Sequence, residues 1–234
     1  MMKKWIALLL AAVLVFSLAA CGGSSEKTEK KDSPSSSEQK ADTAETKAPS
    51  DKTKTDTPAA DTKALVVYFS RTGEQYGVGE IEKGNTAIVA EMIAEQTGAS
   101  TFEIKPKNDN YPTTYDALTD YAKEEQNENA RPEIKDAVES FDNYDTVFLG
   151  YPIWWGDLPM ICYTFLESYD FSGKTVIPFC THAGSGNAGT QSKIESAISG
   201  ATVKEVLAIL GEDTQNKPDS VKETVTDWLN DLGY

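Results

Sequence analysis

Residues 64–73 read ALVVYFSRTG. Six aliphatic or aromatic residues in a row, ending abruptly at Ser70, are what a strand buried on both faces of a parallel sheet requires. Two hydroxyls, a cation and a glycine then take the chain out of the sheet. After an excursion over residues 74–84, Asn85-Thr86 open a segment with Ile88, Val89, Met92 and Ile93 at helical spacing, which Gly98 closes as a C-cap. Strand, polar loop and helix in that order make one βα unit.

The same alternation continues to the end of the chain. Strands are predicted over residues 101–104, 146–150, 175–180 and 202–209. Helices are predicted over 114–128 (with Tyr115, Leu118, Tyr121 and Ala122), 157–169 (Pro159 in its first turn), 190–199, and 217–232, built on Val221, Val225, Trp228 and Leu229. Five strands alternating with helices predict an α/β fold, a doubly wound five-stranded parallel sheet in an α/β/α sandwich. Right-handed crossovers then place the functional loops at one edge, beyond the carboxyl ends of the strands.

The residues before this domain, 64–234, have a different composition. Lys3 and Lys4 precede an apolar run over residues 5–20, shorter than the roughly 20 residues a comfortable membrane span needs, so residues 1–20 read as a secretory signal. Leu18-Ala19-Ala20-Cys21 resembles the bacterial lipoprotein cleavage signal, which implies a diacylglyceryl anchor on the Cys21 thiol. Two acyl chains on one residue anchor stably where one binds only marginally. Residues 22–63 contain no aromatic residue, Leu, Ile or Val. They are too poor in apolar surface to offset the entropy of ordering, so residues 21–63 are expected to be a lipid anchor and a disordered linker of about 35 Å r.m.s. span. The expected location is the outer side of the bacterial cytoplasmic membrane.

Residues 64–234 carry 12 basic and 28 acidic side chains, a net charge near −16. A surface this acidic repels nucleic-acid phosphates and anionic lipid, so neither is an expected direct partner of the domain. Two readings of this charge stay open, that it only aids solubility and that it disfavours adding negative charge to a bound redox cofactor. Cys162 and Cys180 are expected as buried free thiols, although export would permit a disulfide.

Three loops at the predicted functional edge carry unusual residues. The first is Ser70-Arg71-Thr72-Gly73 with Asn85-Thr86, where hydroxyls, a glycine and a helix N-terminus together suit an anion. The Gly-Lys-Ser/Thr of a triphosphate-binding loop is absent. The second is YPIWWG, residues 151–156. Adjacent Trp154 and Trp155 point in different directions and are hard to pack together, and an exposed indole at this edge suits stacking on a flat heterocycle. The third, residues 181–189, reads THAGSGNAG. Gly184, Gly186 and Gly189 match the dinucleotide fingerprint, but not in the first strand-helix turn where it belongs. His182 beside Ser185 lacks the flanking glycines of a nucleophile elbow, so no catalytic residue and no metal ligand is expected.

Together these loops resemble the flavodoxin family, over nearly the whole domain. Flavodoxins bind FMN noncovalently and hold its phosphate in a Ser/Thr-x-Thr-Gly-x-Thr loop. Ser70, Thr72 and Gly73 match its first half and Asn85 and Thr86 its end, with residues 74–84 inserted between them. A subset of bacterial flavodoxin-like proteins has S-R-T-G, an insertion, G-N-T and a later P-I-W-W-G. The resemblance implies an FMN site built from Ser70, Arg71, Thr72, Gly73, Asn85 and Thr86 at the phosphate. Pro152, Ile153, Trp154, Trp155 and Gly156 would lie at the isoalloxazine, one indole covering it and the other bracing the loop. Thr181, His182, Gly184, Ser185 and Gly186 would lie along its other edge, and Tyr111, in Asn110-Tyr111-Pro112, stands either near the flavin or in a surface turn. The function implied is electron transfer to a redox partner protein by a surface lipoprotein. The alternatives are an FMN-dependent NAD(P)H or quinone oxidoreductase, and a non-redox binding lipoprotein that kept the fold without flavin.

Overall fold

The computed structural model describes residues 63–234. The predicted signal segment, Cys21 and the linker up to residue 62 lie outside the described residues. Among the described residues eight strands form: β1 (Ala64–Tyr68), β2 (Gly73–Gln75), β3 (Gly79–Ile81), β4 (Ser100–Glu103), β5 (Thr146–Pro152), β6 (Thr175–His182), β7 (Thr202–Val203) and β8 (Leu207–Leu210). The α-helices are α1 (Asn85–Thr97), α2 (Tyr115–Glu128), α3 (Met160–Ser168), α4 (Thr190–Ala197), α5 (Gly211–Asn216) and α6 (Pro218–Leu232).

The main sheet runs β4-β1-β5-β6, with β7 and β8 both paired to the outer side of β6, and every pairing in it is parallel. Side chains alternate across it with period two. Leu65, Val67, Val147, Leu149 and Tyr151 face one apolar cluster, which Leu118 of α2, Phe165 of α3 and Ile194 of α4 complete. Val66, Phe148 and Ile177 face the opposite cluster with Val89 and Ile93 of α1 and Val221, Val225 and Leu229 of α6. Each of these side chains contributes about 1.5–3 kcal/mol on full burial, so the three-layer sandwich follows directly from the two apolar faces. The chain leaves β1 toward β4 and later returns past it to β5. This reversal opens a crevice between the carboxyl ends of β1 and β5.

Several elements differ from the prediction. The fifth strand, expected as one run over 202–209, is divided into β7 and β8 by Lys204, Glu205 and Val206. Val176 accepts the Lys204 N–H, so Pro178, two residues on, turns toward the same neighbour but has no N–H to donate. The register shifts by one residue across that gap, from Val176↔Val203 to Phe179↔Leu207, as a bulge at a proline does. The excursion over 74–84, for which no element was predicted, forms a separate antiparallel hairpin of β2 and β3. In addition, α3 begins at Met160 rather than residue 157, because Asp157 exchanges both backbone hydrogen bonds with Trp154.

Candidate functional site

Loops at the carboxyl ends of the strands enclose a cavity of about 500 Å³, within the range of small-molecule sites. Of the residues expected at a ligand, Asn85, Pro152, Ile153, Trp154, Trp155, Thr181 and His182 line it. Its lining is partly apolar, with Trp154, Trp155, Leu118 and Ala122, and partly polar, with Asn85, Thr181, His182 and Glu212.

The polar part of the lining is assembled around the start of α1. Gly84 is its N-cap, and no side chain at that position caps the helix. Instead Ser70 reaches in from the end of β1 and accepts the Ala87 N–H at 3.0 Å, which leaves the Ser70 hydroxyl proton free to donate. Ile88 N–H bonds the Gly84 carbonyl, so the amides of Asn85 and Thr86 remain at the positive end of the helix dipole as donors for an anion. A Cβ on Gly84 would stand 2.2 Å from Ser70 Oγ and 2.5 Å from the Arg71 carbonyl. The loop and the helix start can approach this closely only because that residue is glycine.

Two hydrogen bonds join the remaining loops to this helix end and to each other. Thr86 Oγ1 lies 2.8 Å from Thr181 Oγ1, both buried, and Ile153 N–H donates to the Thr181 carbonyl at 2.8 Å. The Asn85 side chain is held by α5, its Oδ1 accepting from Thr214 Oγ1 and Gln215 Nε2 at 3.0 and 2.8 Å.

The two tryptophans have different environments. Trp154 packs edge-on against Phe69 and Tyr111, with ring centroids 5.4 and 5.6 Å away. Tyr111 is itself fixed by donating to Glu125 Oε2 at 3.0 Å, and burial pushes that carboxyl above its ordinary pKa. Trp155 is 54% exposed. It and Gly156 occupy the centre of a tight turn with φ of +49° and +71°, closed by Trp154 N–H to Asp157 O at 2.9 Å and the reciprocal bond at 3.0 Å. A bulky non-glycine residue at positive φ costs on the order of 1–3 kcal/mol, a strain characteristic of functional sites. Trp155 Nε1 donates to the Thr119 carbonyl at 2.8 Å, and Lys193 Nζ holds Gly156 O at 3.0 Å.

Other expected site residues stand elsewhere. Arg71 Nη1 donates to both carboxylate oxygens of Asp109 at 2.8 Å, and the guanidinium lies over the Tyr111 ring. Gly73 packs against the Thr113 backbone, and Thr72 is exposed. Gly184, Ser185 and Gly186 do not line the cavity; Ala183 does. Conversely, the hairpin residues Gln75 and Tyr76, the α2 residues Tyr115, Leu118, Thr119 and Ala122, and Leu210, Gly211 and Glu212 line it without having been expected. Cys162 and Cys180 are buried free thiols, as expected.

His182 Nδ1 accepts the Gly184 N–H at 3.0 Å, and burial pushes its imidazole below the ordinary value. The unfolded chain therefore binds this proton more readily than the folded one. The associated stability is present above the unfolded pKa of about 6.5 and is lost as pH falls below it. Between about pH 7.5 and about pH 5, the wild type should lose more unfolding free energy than His182→Gln. Equal losses in denaturant titrations would show that this group does not contribute.

A sequence model of the family described as flavodoxin matches residues 63–232. Among solved structures, a protein from Bacteroides uniformis ATCC 8492 assigned as a flavoprotein is 30% identical with a TM-score of 0.56, the match covering 72% of this chain and 98% of that one. Its counterpart from Bacteroides eggerthii DSM 20697 is 29% identical with a TM-score of 0.54, covering 69% and 98%. A flavoprotein from Lactobacillus acidophilus NCFM, solved in complex with FMN, is 24% identical with a TM-score of 0.51, covering 68% and 99%. Comparison with curated proteins gave no match. Because the family match begins at the first described residue and runs through every strand and loop that builds the cavity, the chain belongs to the flavodoxin family.

Proposed function

We propose that the domain binds FMN in this cavity and passes electrons to or from a partner protein, tethered outside the bacterial cytoplasmic membrane by lipid on Cys21. The observation that carries the flavin reading is Trp155, a strained and half-exposed indole on the wall of a cavity that Asn85, the first residue of a helix, also lines. In this strand order the switch-point crevice is where flavodoxins hold FMN, and the Lactobacillus relative was solved with it.

The residues present fit the group. The Ser70 hydroxyl and the amides of Asn85 and Thr86 would take the phosphate, and Trp155 would cover the ring. Trp154, braced by Phe69 and Tyr111, would hold the turn that carries it. When bound, FMN supplies one- and two-electron chemistry; the protein sets its orientation and electrostatic surroundings. The acidic domain and the Glu212 carboxylate in the cavity lining both oppose added negative charge, which favours a low reduction potential. The tether reading rests on Leu18-Ala19-Ala20-Cys21 and the apolar-poor segment after it.

The purified domain is expected to be yellow, and heating it should release FMN. A colourless domain that leaves added FMN fluorescence unchanged would overturn the flavin reading. Electron uptake only through a protein donor supports the carrier role, whereas steady NAD(P)H oxidation with a small quinone contradicts it. Metabolic labelling with a fatty acid is expected to mark the wild-type protein and not Cys21→Ser; a wild-type protein that takes up no label would overturn the anchor.

A further inference from the structure

Among the described residues, three large aromatic side chains stand exposed: Tyr76, Trp155 and Tyr234. Two of the three, Tyr76 at 63% and Trp155 at 54%, line the same cavity. Tyr76 sits at the tip of the β2–β3 hairpin, the inserted segment that interrupts the polar loop after β1. A large exposed aromatic needs a reason, and one on a cavity wall points to a ligand.

The hairpin is built to hold that tip in place. An isolated two-stranded hairpin is only marginally stable, so its position depends on anchors outside it. At its first strand, Glu74 N–H donates to the Thr113 carbonyl at 2.8 Å, and Glu74 Oε2 accepts the Tyr115 N–H at 3.0 Å. Gly73 lies so close to Thr113 that a Cβ there would come within 2.6 Å of its carbonyl oxygen. Beyond its second strand, Gln215 Nε2 of α5 donates to the Lys83 carbonyl at 2.9 Å. Near the tip, Gly77 is close enough to Glu212 that a Cβ would stand 3.0 Å from its carboxylate. The insertion is therefore an arch between the start of α2 and α5, fixed at both feet.

Its inner residues are preset as well. The Tyr76 ring rests against Tyr115, another cavity-lining ring, with centroids 5.8 Å apart. Gln75 also lines the cavity, and its side-chain Nε2 is buried without an acceptor in the protein. A buried donor without a partner is destabilising, a cost that a ligand acceptor would remove.

We infer that the inserted arch is part of the ligand site, with Tyr76 giving a second aromatic contact to the bound planar ring system and the Gln75 amide donating a hydrogen bond to it. This inference rests on the flavin reading above and assigns to the insertion a role in retaining the cofactor. An aromatic contact and a hydrogen bond made in the bound state raise the barrier to leaving, so the effect is expected mainly in the dissociation rate.

The test uses the full chain, stripped of flavin and titrated with FMN, with dissociation followed after dilution into excess competing apoflavodoxin. Tyr76→Ala is expected to weaken FMN binding and speed its release at least roughly fivefold, the low end of a stacking contribution. Tyr76→Phe should restore both values, and Gln75→Leu should speed release while leaving the thermal midpoint of the unliganded chain at the wild-type value or higher, because it removes the unpartnered donor. With 63% of Tyr76 exposed, its truncation should leave that midpoint within about 2 °C of wild type. If the wild type binds FMN and Tyr76→Ala binds and releases it identically, the arch has no part in retention and this inference alone falls. If the wild type binds no FMN, the flavin reading falls and takes this one with it.

Discussion

Trp155→Ala is expected to weaken FMN binding roughly 5- to 150-fold, equivalent to about 1–3 kcal/mol of lost stacking, while leaving the unliganded domain as stable as before. The separation of the two effects follows from the environment of the residue. Half of the indole faces solvent, and its fixed contacts are the Nε1 hydrogen bond to Thr119 and the Lys123 ammonium 5.2 Å from the ring centre. Against these stands a backbone at φ +49° that disfavours any side chain. Trp155→Gly should accordingly melt at the wild-type temperature or higher, since glycine accepts that conformation without strain. Trp154→Ala should behave in the opposite way, with a lower midpoint even without ligand, because its ring fills space between Phe69 and Tyr111. Calorimetric titration with FMN and thermal melts of the three variants check this. Unfolding of Trp155→Ala, or unchanged affinity, would mean that the exposed indole is not the stacking surface.

Gly84→Ala should cost both stability and affinity. One methyl group there would meet Ser70 Oγ at 2.2 Å and the Arg71 carbonyl oxygen at 2.5 Å. The second of these is backbone and cannot simply rotate away. Overpacking of this kind costs about 1–3 kcal/mol, and the relief available is to move the loop off the helix end. That movement withdraws Ser70 from the Ala87 amide and opens the proposed phosphate seat. Ser70→Ala removes the nearer obstacle but not the carbonyl, so the double variant should recover part of the stability and none of the affinity. Such non-additivity is the signature of a direct contact. A Gly84→Ala domain with the wild-type denaturation midpoint would show that the loop yields more easily than this packing implies.

How much of the site was legible in the sequence differs from loop to loop. Of the first half of the polar loop, Ser70 stands at the start of α1, whereas Thr72 is exposed and Gly73 packs on the Thr113 backbone. Arg71 belongs to the same motif yet serves Asp109 and Tyr111, a choice made by residues almost forty positions away. The glycine-rich loop was expected along the cavity edge, but Gly184, Ser185 and Gly186 lie off it and its first three residues, Thr181, His182 and Ala183, remain. Small residues declare that the backbone can bend and say little about where it goes. The hairpin over the insertion had a local signal in Gly77 and Gly79, both at positive φ, but its three-residue strands are too short for a periodic pattern to show. The divided fifth strand had its cause in view in Pro178, which sits on a different strand from the one it interrupts.

The sequence alone determined the layers of this protein. Continuous apolar strands between amphipathic helices have essentially one way to bury both sheet faces, and that places the three loops at one rim. Only the tertiary structure decided which tryptophan faces the solvent and what roofs the cavity. Both depend on contacts between segments far apart in the chain, Trp154 with Phe69 and Tyr111, and the arch with Thr113 and Gln215. Local periodicity carries burial, but the packing of distant segments selects between neighbours that are chemically identical.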